Sequence, residues 1–306
     1  MLRGASLASS EETAPAGARP VASGLAGAGE PRTIAVESHL VVVHGLQLRL
    51  LSAGHGWPLL LLHGLGGGAD EWLEVLPRLG ARFRAMALDA PGHGLSEKPR
   101  TFAYDVPSYA RTLLGVMDAL GIRRAPLVAV SGGGVVALTV ALTHPERVSK
   151  LVLVDAAGLG REVAWSYRLA TLPLAGYALR RIGRRSIERL GRRLCRRPER
   201  LPEGWVERRL RLWREPGAVE AFVATARAGI SLRGQRVHYA GRLHEIRHPT
   251  LLIWGRDDPI IPVAHAIAAA RALPNARLHI FENCGHVPLW EYPDAFAQLV
   301  LEFLLD

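Results

Sequence analysis

Lysine is nearly missing from this chain: of 38 basic residues only Lys98 and Lys150 are lysines, and the rest are arginine. A bias of that extent fits genome composition rather than a phosphate-binding design. Cysteine is equally scarce. Cys195 and Cys284 stand 89 positions apart, which excludes a disulfide framework and any metal-ligand spacing built on thiols. No apolar run has the character of a membrane span. The longest uncharged stretch, Ala125 to Leu142, opens with Ala-Pro and holds three consecutive glycines, so it suits a strand–turn–helix unit. The first 30 residues lack the continuous apolar stretch of a secretory signal, because Glu11, Glu12 and Pro15 interrupt an Ala/Gly/Ser-rich sequence. Residues 1–35 therefore read as a disordered leader, and a reduced, cytoplasmic setting is expected.

What is present is a globular composition. Across 306 residues, 49% are apolar and 22% charged, enough for one large domain or two modest ones. The formal charge of +10 is unevenly spread. Residues 161–214 hold 16 arginines against 5 glutamates, a local balance of +11, which leaves 22 basic and 23 acidic side chains elsewhere. The pI of about 10.5 thus describes one segment and not the molecule.

From about residue 39 short apolar runs alternate with helical patterns, as in a largely parallel sheet covered on both faces. Strands are predicted at Leu40–Val43, Leu46–Leu51, Leu59–Leu62, Phe83–Leu88, Leu127–Val130, Leu151–Val154, Leu251–Trp254 and Arg277–Phe281. Helices are predicted near Ala69–Leu79, Val106–Leu120, Val135–Thr143, Ala264–Ala272 and Asp294–Leu304. The alternation stops at Ala156 and resumes at Pro249. Residues 157–248 read as an Arg-rich helical cap inserted into a core of residues 36–156 and 249–306, with stripes Ile187/Leu190/Leu194 and Val206/Leu210/Trp213 facing inward. Arg189, Arg192, Arg193, Arg196 and Arg197 fall mostly opposite the first stripe and read as a solvated outer face. The sharper reading of the same residues is an amphipathic surface attracted weakly to anionic lipid, to an acidic substrate or to nucleic acid, and no motif supports the last of these.

The chemistry concentrates at three strand ends. Leu127-Val128-Ala129-Val130-Ser131-Gly132-Gly133-Gly134 runs a strand into a serine and then into a helix, the pattern of a nucleophile elbow, with Ala129 where glycine is usual. A serine in a glycine-rich helix start also serves as a cap or anion site, so the motif alone leaves both readings open. Downstream, Gly255-Arg256-Asp257-Asp258 and Cys284-Gly285-His286 place carboxylates and a histidine after the last two strands. A serine needs a base and the base an orienting carboxylate, and the order serine, aspartate, histidine supplies them.

With Leu62-His63-Gly64-Leu65-Gly66-Gly67, Asp89-Ala90-Pro91-Gly92-His93-Gly94 and His144-Pro145-Glu146-Arg147-Val148 added, residues 36–306 resemble the α/β-hydrolase superfamily. The resemblance implies an eight-stranded, mostly parallel sheet with a helical cap. It assigns Ser131 as nucleophile, His286 as base and Asp258 as acid, with Asp257 as fallback. Asp155, where some relatives keep the acid, reads as structural at the start of the cap. The oxyanion hole implied is the backbone N–H groups of Gly132 and Leu65. His63 and His93 match structural loop positions, Cys284 a packed small residue, and His238, His244 and His248 no metal site. No cofactor or metal is expected.

The activity expected first is hydrolysis of small-molecule carboxylic esters. Second comes carbon–carbon bond hydrolysis of meta-cleavage products, which the stretch Cys284-Gly285-His286-Val287-Pro288-Leu289-Trp290-Glu291 resembles. Val130 and Val287 replace the asparagine and tryptophan usual in that group. A non-catalytic binding protein on the same fold is the reading from another class.

Overall fold

The computed structural model describes residues 34–306, which cluster as one compact unit; the leader expectation falls almost wholly outside them. The strands are β1 Val36–Val43, β2 Leu46–Ala53, β3 Pro58–Leu62, β4 Arg84–Leu88, β5 Ala125–Val130, β6 Val148–Val154, β7 Ile230–Ser231, β8 Gly234–Gln235, β9 Thr250–Gly255 and β10 Ala276–Phe281. Eight of them form one sheet in the order β1-β2-β4-β3-β5-β6-β9-β10. The β1–β2 and β2–β4 pairs are antiparallel, and every later pair is parallel. Parallel strands covered on both faces must be apolar throughout, and Leu59–Leu61 and Leu151–Val154 are accordingly almost inaccessible to solvent.

Around the sheet lie α1 Leu76–Gly80, α2 Val106–Ala119, α3 Gly132–Thr143, α9 Ala264–Ala272, α10 Pro288–Glu291 and α11 Pro293–Leu305. Between β6 and β9 the chain forms α4 Trp165–Leu169, α5 Ala175–Leu179, α6 Arg184–Leu194, α7 Trp205–Arg214 and α8 Ala218–Gly229. All eight predicted strands are present, several longer than their apolar pattern. β1 begins at Val36 because Glu37, Ser38 and His39 pair backbone to backbone with β2, which needs no apolar side chains at a sheet edge. Its turn uses His44 and Gly45, both at positive φ (52° and 79°), as a two-residue hairpin requires.

Three local expectations are corrected. The helix expected over Ala69–Leu79 is a 3-10 turn at Ala69–Trp72 followed by α1. Pro77 is the cause: it has no N–H and would crowd a helical carbonyl behind it, so the helix restarts with proline in its first turn. In α7 the deeply buried residues are Trp205 and Leu212, while Val206, Leu210 and Trp213 of the expected stripe are all half-buried. Trp205 packs edge-on against Trp290, at 5.6 Å between centroids, and this turns the helix. The β7–β8 hairpin is too short for any pattern; Gln235 in it accepts from the Gly158 N–H at 2.8 Å and donates to the Glu162 carbonyl at 3.0 Å, closing the start of the insert.

The arginine face also departs from a purely solvated one. Arg189, Arg192 and Arg193 are exposed. Arg196, however, lies 3.8 Å from Asp257, and the Arg197 guanidinium stacks over Tyr292 at 4.9 Å. No helix among the described residues is long and apolar enough to cross a membrane.

Candidate active site

The parallel strands deliver their chemistry to one edge. Ser131 follows β5, Asp155 follows β6, Asp258 lies just past β9 and His286 just past β10. Ser131 adopts φ 49° and ψ −120°, a region costly for any residue with a β-carbon. Three hydrogen bonds hold it there. Its N–H donates to the Val154 carbonyl at 2.9 Å, and its carbonyl accepts from Gly134 at 2.9 Å and Ala157 at 2.8 Å. The glycines around it are spatial necessities. A β-carbon on Gly133 would stand 2.6 Å from the Leu62 carbonyl oxygen, and one on Gly134 would stand 2.5 Å from the Ala156 β-carbon. Ala129 is fully buried in β5, and its extra methyl group is accommodated.

His286 is buried, and its Nδ1 lies 2.8 Å from Asp258 Oδ2. The other oxygen of Asp258 accepts from the N–H groups of Ile260 at 2.7 Å and Ile261 at 3.2 Å. Those bonds fix the carboxylate, and the carboxylate fixes the orientation of the ring through Nδ1. Asp257 points elsewhere, half exposed toward Arg196. The His286 loop is fastened by buried Glu291, which accepts from the N–H of Gly285 (2.7 Å) and of Arg197 (2.7 Å). The His286 N–H itself donates to the Leu194 carbonyl at 2.8 Å, tying the histidine loop to the insert.

Asp155 sits closer to the chemistry than a purely structural reading implies. It is completely buried at φ 42°, and its Oδ1 accepts from the Gly255 N–H at 3.0 Å. Its Oδ2 has no partner among the described donors, and ligand atoms of Asp155, Asp258 and His286 lie within 4.8 Å of one another. Burial and then the neighbouring Asp258 push the Asp155 pKa well above the ordinary carboxyl range. The three groups are near enough for a metal, but hydrogen bonds already engage both oxygens of Asp258.

The opposite wall is the His63–Gly67 loop. His63 Nδ1 donates to the Gly64 carbonyl at 2.7 Å, and Nε2 accepts from the Ala90 N–H at 3.1 Å. Burial pulls its pKa down to about 4 and that of His93 to about 3, so both stay neutral struts. Asp89, wholly buried, ties the loops together by accepting from Arg49 Nε (2.6 Å), Ala69 N–H (2.5 Å) and Leu95 N–H (2.8 Å). The Leu65 backbone nitrogen lies 3.0 Å from where a β-carbon would stand on Gly132. Neither that N–H nor the Gly132 N–H meets an acceptor among the described residues, and both residues line the cavity beside Ser131.

Glu71 was not legible from the sequence. It accepts from the Gly64 N–H at 3.1 Å and lies 3.9 Å from Arg209 of α7. Burial raises its pKa, with Arg209 opposing. Only an acidic side chain within a glycine-rich loop hinted at it. His238 and His244 are exposed, and His248 meets the Pro145 carbonyl at 2.8 Å; they form no metal cluster among the described residues. Cys284 is fully buried, and burial raises its thiol pKa, as fits a packing residue.

These elements enclose a cavity of about 130 Å³ with Ser131, Gly64, Leu65 and Gly132 in its wall. Its other lining is overwhelmingly apolar, including Leu113, Val135, Val163, Ile230, Ile260 and Ile261, and no lysine, arginine, aspartate or glutamate reaches it. Tyr109, whose pKa burial raises, spans from α2 to Thr225 of α8 at 2.6 Å and so fixes the roof to the core.

Comparison with known proteins agrees with this architecture. The chain is 34% identical over 274 residues to a 2-hydroxy-6-oxo-6-phenylhexa-2,4-dienoate hydrolase of Burkholderia cepacia, covering 85% of this chain and 92% of that one. The enzyme of the same name from Rhodococcus sp. strain RHA1 superposes with a TM-score of 0.78 at 26% identity, over 90% of this chain and 100% of that one. A membrane phospholipase A, described as a bacterial virulence factor, superposes with a TM-score of 0.76 at 31% identity, over 88% and 86%. The family model for the alpha/beta hydrolase fold matches residues 58–293, and the chain belongs to that family.

Proposed function

We propose that the protein is a serine hydrolase of apolar carboxylic esters. Ser131 Oγ attacks the ester carbonyl as His286 Nε2 takes its proton, and Asp258 holds the imidazole in the required tautomer. The Leu65 and Gly132 N–H groups receive the oxyanion, a contribution of about 2.7–4 kcal/mol for each such donor in comparable sites. His286 then protonates the leaving alcohol and activates the water that frees the acyl group. Asp155 acts through Asp258 and not on substrate.

The observation that carries the ester reading is the cavity. It offers predominantly apolar walls around a lining that includes Ser131, and no lysine or arginine for an acidic substrate. Similarity to a phospholipase A, itself an ester hydrolase, supports the same leaving group.

Carbon–carbon cleavage is the second reading, and similarity by itself favours it over the first. Several curated relatives at 33–34% identity are hydrolases of dienoates or semialdehydes. One structural feature also speaks for it. Arg209 stands in the recess adjoining the cavity with Nε buried and unpartnered among the described residues, where a substrate carboxylate could meet it. Against it, Val130 and Val287 stand where that group has asparagine and tryptophan.

The deciding experiment compares kcat/KM on p-nitrophenyl acyl esters of increasing chain length with that on a dienoic diketone carrying a carboxylate. The ester reading predicts faster turnover of the esters, rising with acyl length until the cavity is full. Preferential turnover of the diketone, lost in Arg209→Gln, would establish the second reading.

A further inference from the structure

The segment after β6 is two-faced. Val163 and Tyr167 line the cavity. On the outside of the same segment the side chains are apolar too. Among the described residues eleven large hydrophobic side chains are exposed, and five of them fall within the thirteen residues from Trp165 to Tyr177. Trp165 is 63% exposed, Leu174 79% and Tyr177 62%, with Leu169 and Leu172 between them. A sixth, Leu232 at the tip of the β7–β8 hairpin, lies beside them, since its carbonyl accepts from Arg168 of α4 at 3.4 Å. Singly exposed apolar residues need no explanation, but a concentration of this kind on one short segment marks a contact surface.

Charge identifies the partner. Residues 161–185 carry six arginines and one acidic residue, Glu162, which His265 engages at 2.6 Å. Arg161, Arg181 and Arg185 have no carboxylate partner among the described residues. The Arg168 guanidinium rides over the Trp165 ring at 4.7 Å and that of Arg181 over Tyr177 at 3.7 Å. Apolar side chains, aromatic rings and arginines able to extend from among them are the composition of a surface that sits in the headgroup region of an anionic bilayer. A protein partner is less well matched, because so dense an arginine set would need an equally acidic counterpart.

We propose that the Trp165–Tyr177 face docks on the surface of an anionic lipid bilayer, placing the outer side of the cavity wall at the source of apolar substrates. The inference concerns binding and holds whichever bond Ser131 breaks.

The test is co-sedimentation of the full-length protein with vesicles of pure phosphatidylcholine and of equimolar phosphatidylcholine and phosphatidylglycerol. The expected result is partitioning onto the anionic vesicles at least about tenfold above the neutral ones, weakening at about 0.5 M salt. The variant carrying Trp165→Ser, Leu169→Ser, Leu174→Ser and Tyr177→Ser should lose about tenfold or more of that partitioning. Its thermal transition and its turnover of a soluble short-chain ester without vesicles should match the parent, which shows that the variant is folded. Equal sedimentation of parent and variant, equal binding to both vesicle types, or no binding to either would overturn the proposal. A dimer in sedimentation velocity that the four substitutions abolish, with no vesicle binding, would assign the face to a second copy of the chain instead.

Discussion

Asp155 and Asp258 are chemically identical side chains in different surroundings, and the backbone sets the difference. Asp258 receives two backbone N–H groups and faces His286, whereas Asp155 receives one and is otherwise enclosed. Asp155 in the native protein therefore holds its proton above the pH at which the unfolded chain releases it. A carboxyl whose folded pKa is raised contributes stability below its unfolded pKa and loses it as pH climbs toward the folded value. Replacing it with asparagine, a neutral isostere of the protonated acid, removes that loss. Asp155→Asn should therefore gain on the parent as pH rises above about 4. Denaturant unfolding of both proteins from pH 5 to pH 8 measures it, and a stability difference independent of pH would contradict the assignment. The residue scale is also where sequence reading fell shortest. The triad candidates were legible because each needs a side chain of one type at one strand end. Asp155 and Glu71 were read as structural or overlooked because their roles depend on burial and on neighbours distant in the chain.

At the scale of elements, the elbow shows how little freedom the turn allows. Strand β5, Ser131 and α3 close on themselves within a few ångströms, and Gly133 faces two backbone carbonyls that cannot rotate aside, at 2.6 and 2.8 Å from an added β-carbon. Gly133→Ala is expected to cost about 3 kcal/mol, the upper part of the range for overpacked sites. Gly229→Ala is the control: a β-carbon there meets nothing within 4 Å, so the change should be neutral or stabilising by up to about 1 kcal/mol through helix propensity. Chemical denaturation distinguishes them, and equal stability of the two variants would mean that the turn relaxes freely. The core elements were legible for a physical reason: strands apolar on both faces and helices with one apolar stripe leave a periodic trace. The insert left less of one. Its helices α4 and α5 have five residues each, too few for periodicity, and α7 is oriented by Trp205 meeting Trp290 from the far end of the chain. Pro77, by contrast, was visible and should have divided the first predicted helix.

At the scale of the whole molecule, the uneven charge and the chemistry separate. The basic excess lies between residues 161 and 214, while the cavity behind that segment has no charged side chain in its wall. Insert and core are joined where it matters for the site: Glu291 binds both Gly285 and Arg197, Leu194 accepts from His286, and Tyr109 meets Thr225. Those joints set the shape of the cavity, and none could be read from local pattern, since each links residues far apart in sequence. The central claim is that this assembly exists to make Ser131 a nucleophile. Intact-mass analysis after exposure to a fluorophosphonate tests it most directly. The account predicts a single covalent phosphonyl adduct on the folded protein, mapped to Ser131, absent from Ser131→Ala and greatly slowed in His286→Ala. An unmodified native protein, or equal labelling of Ser131→Ala, would contradict it.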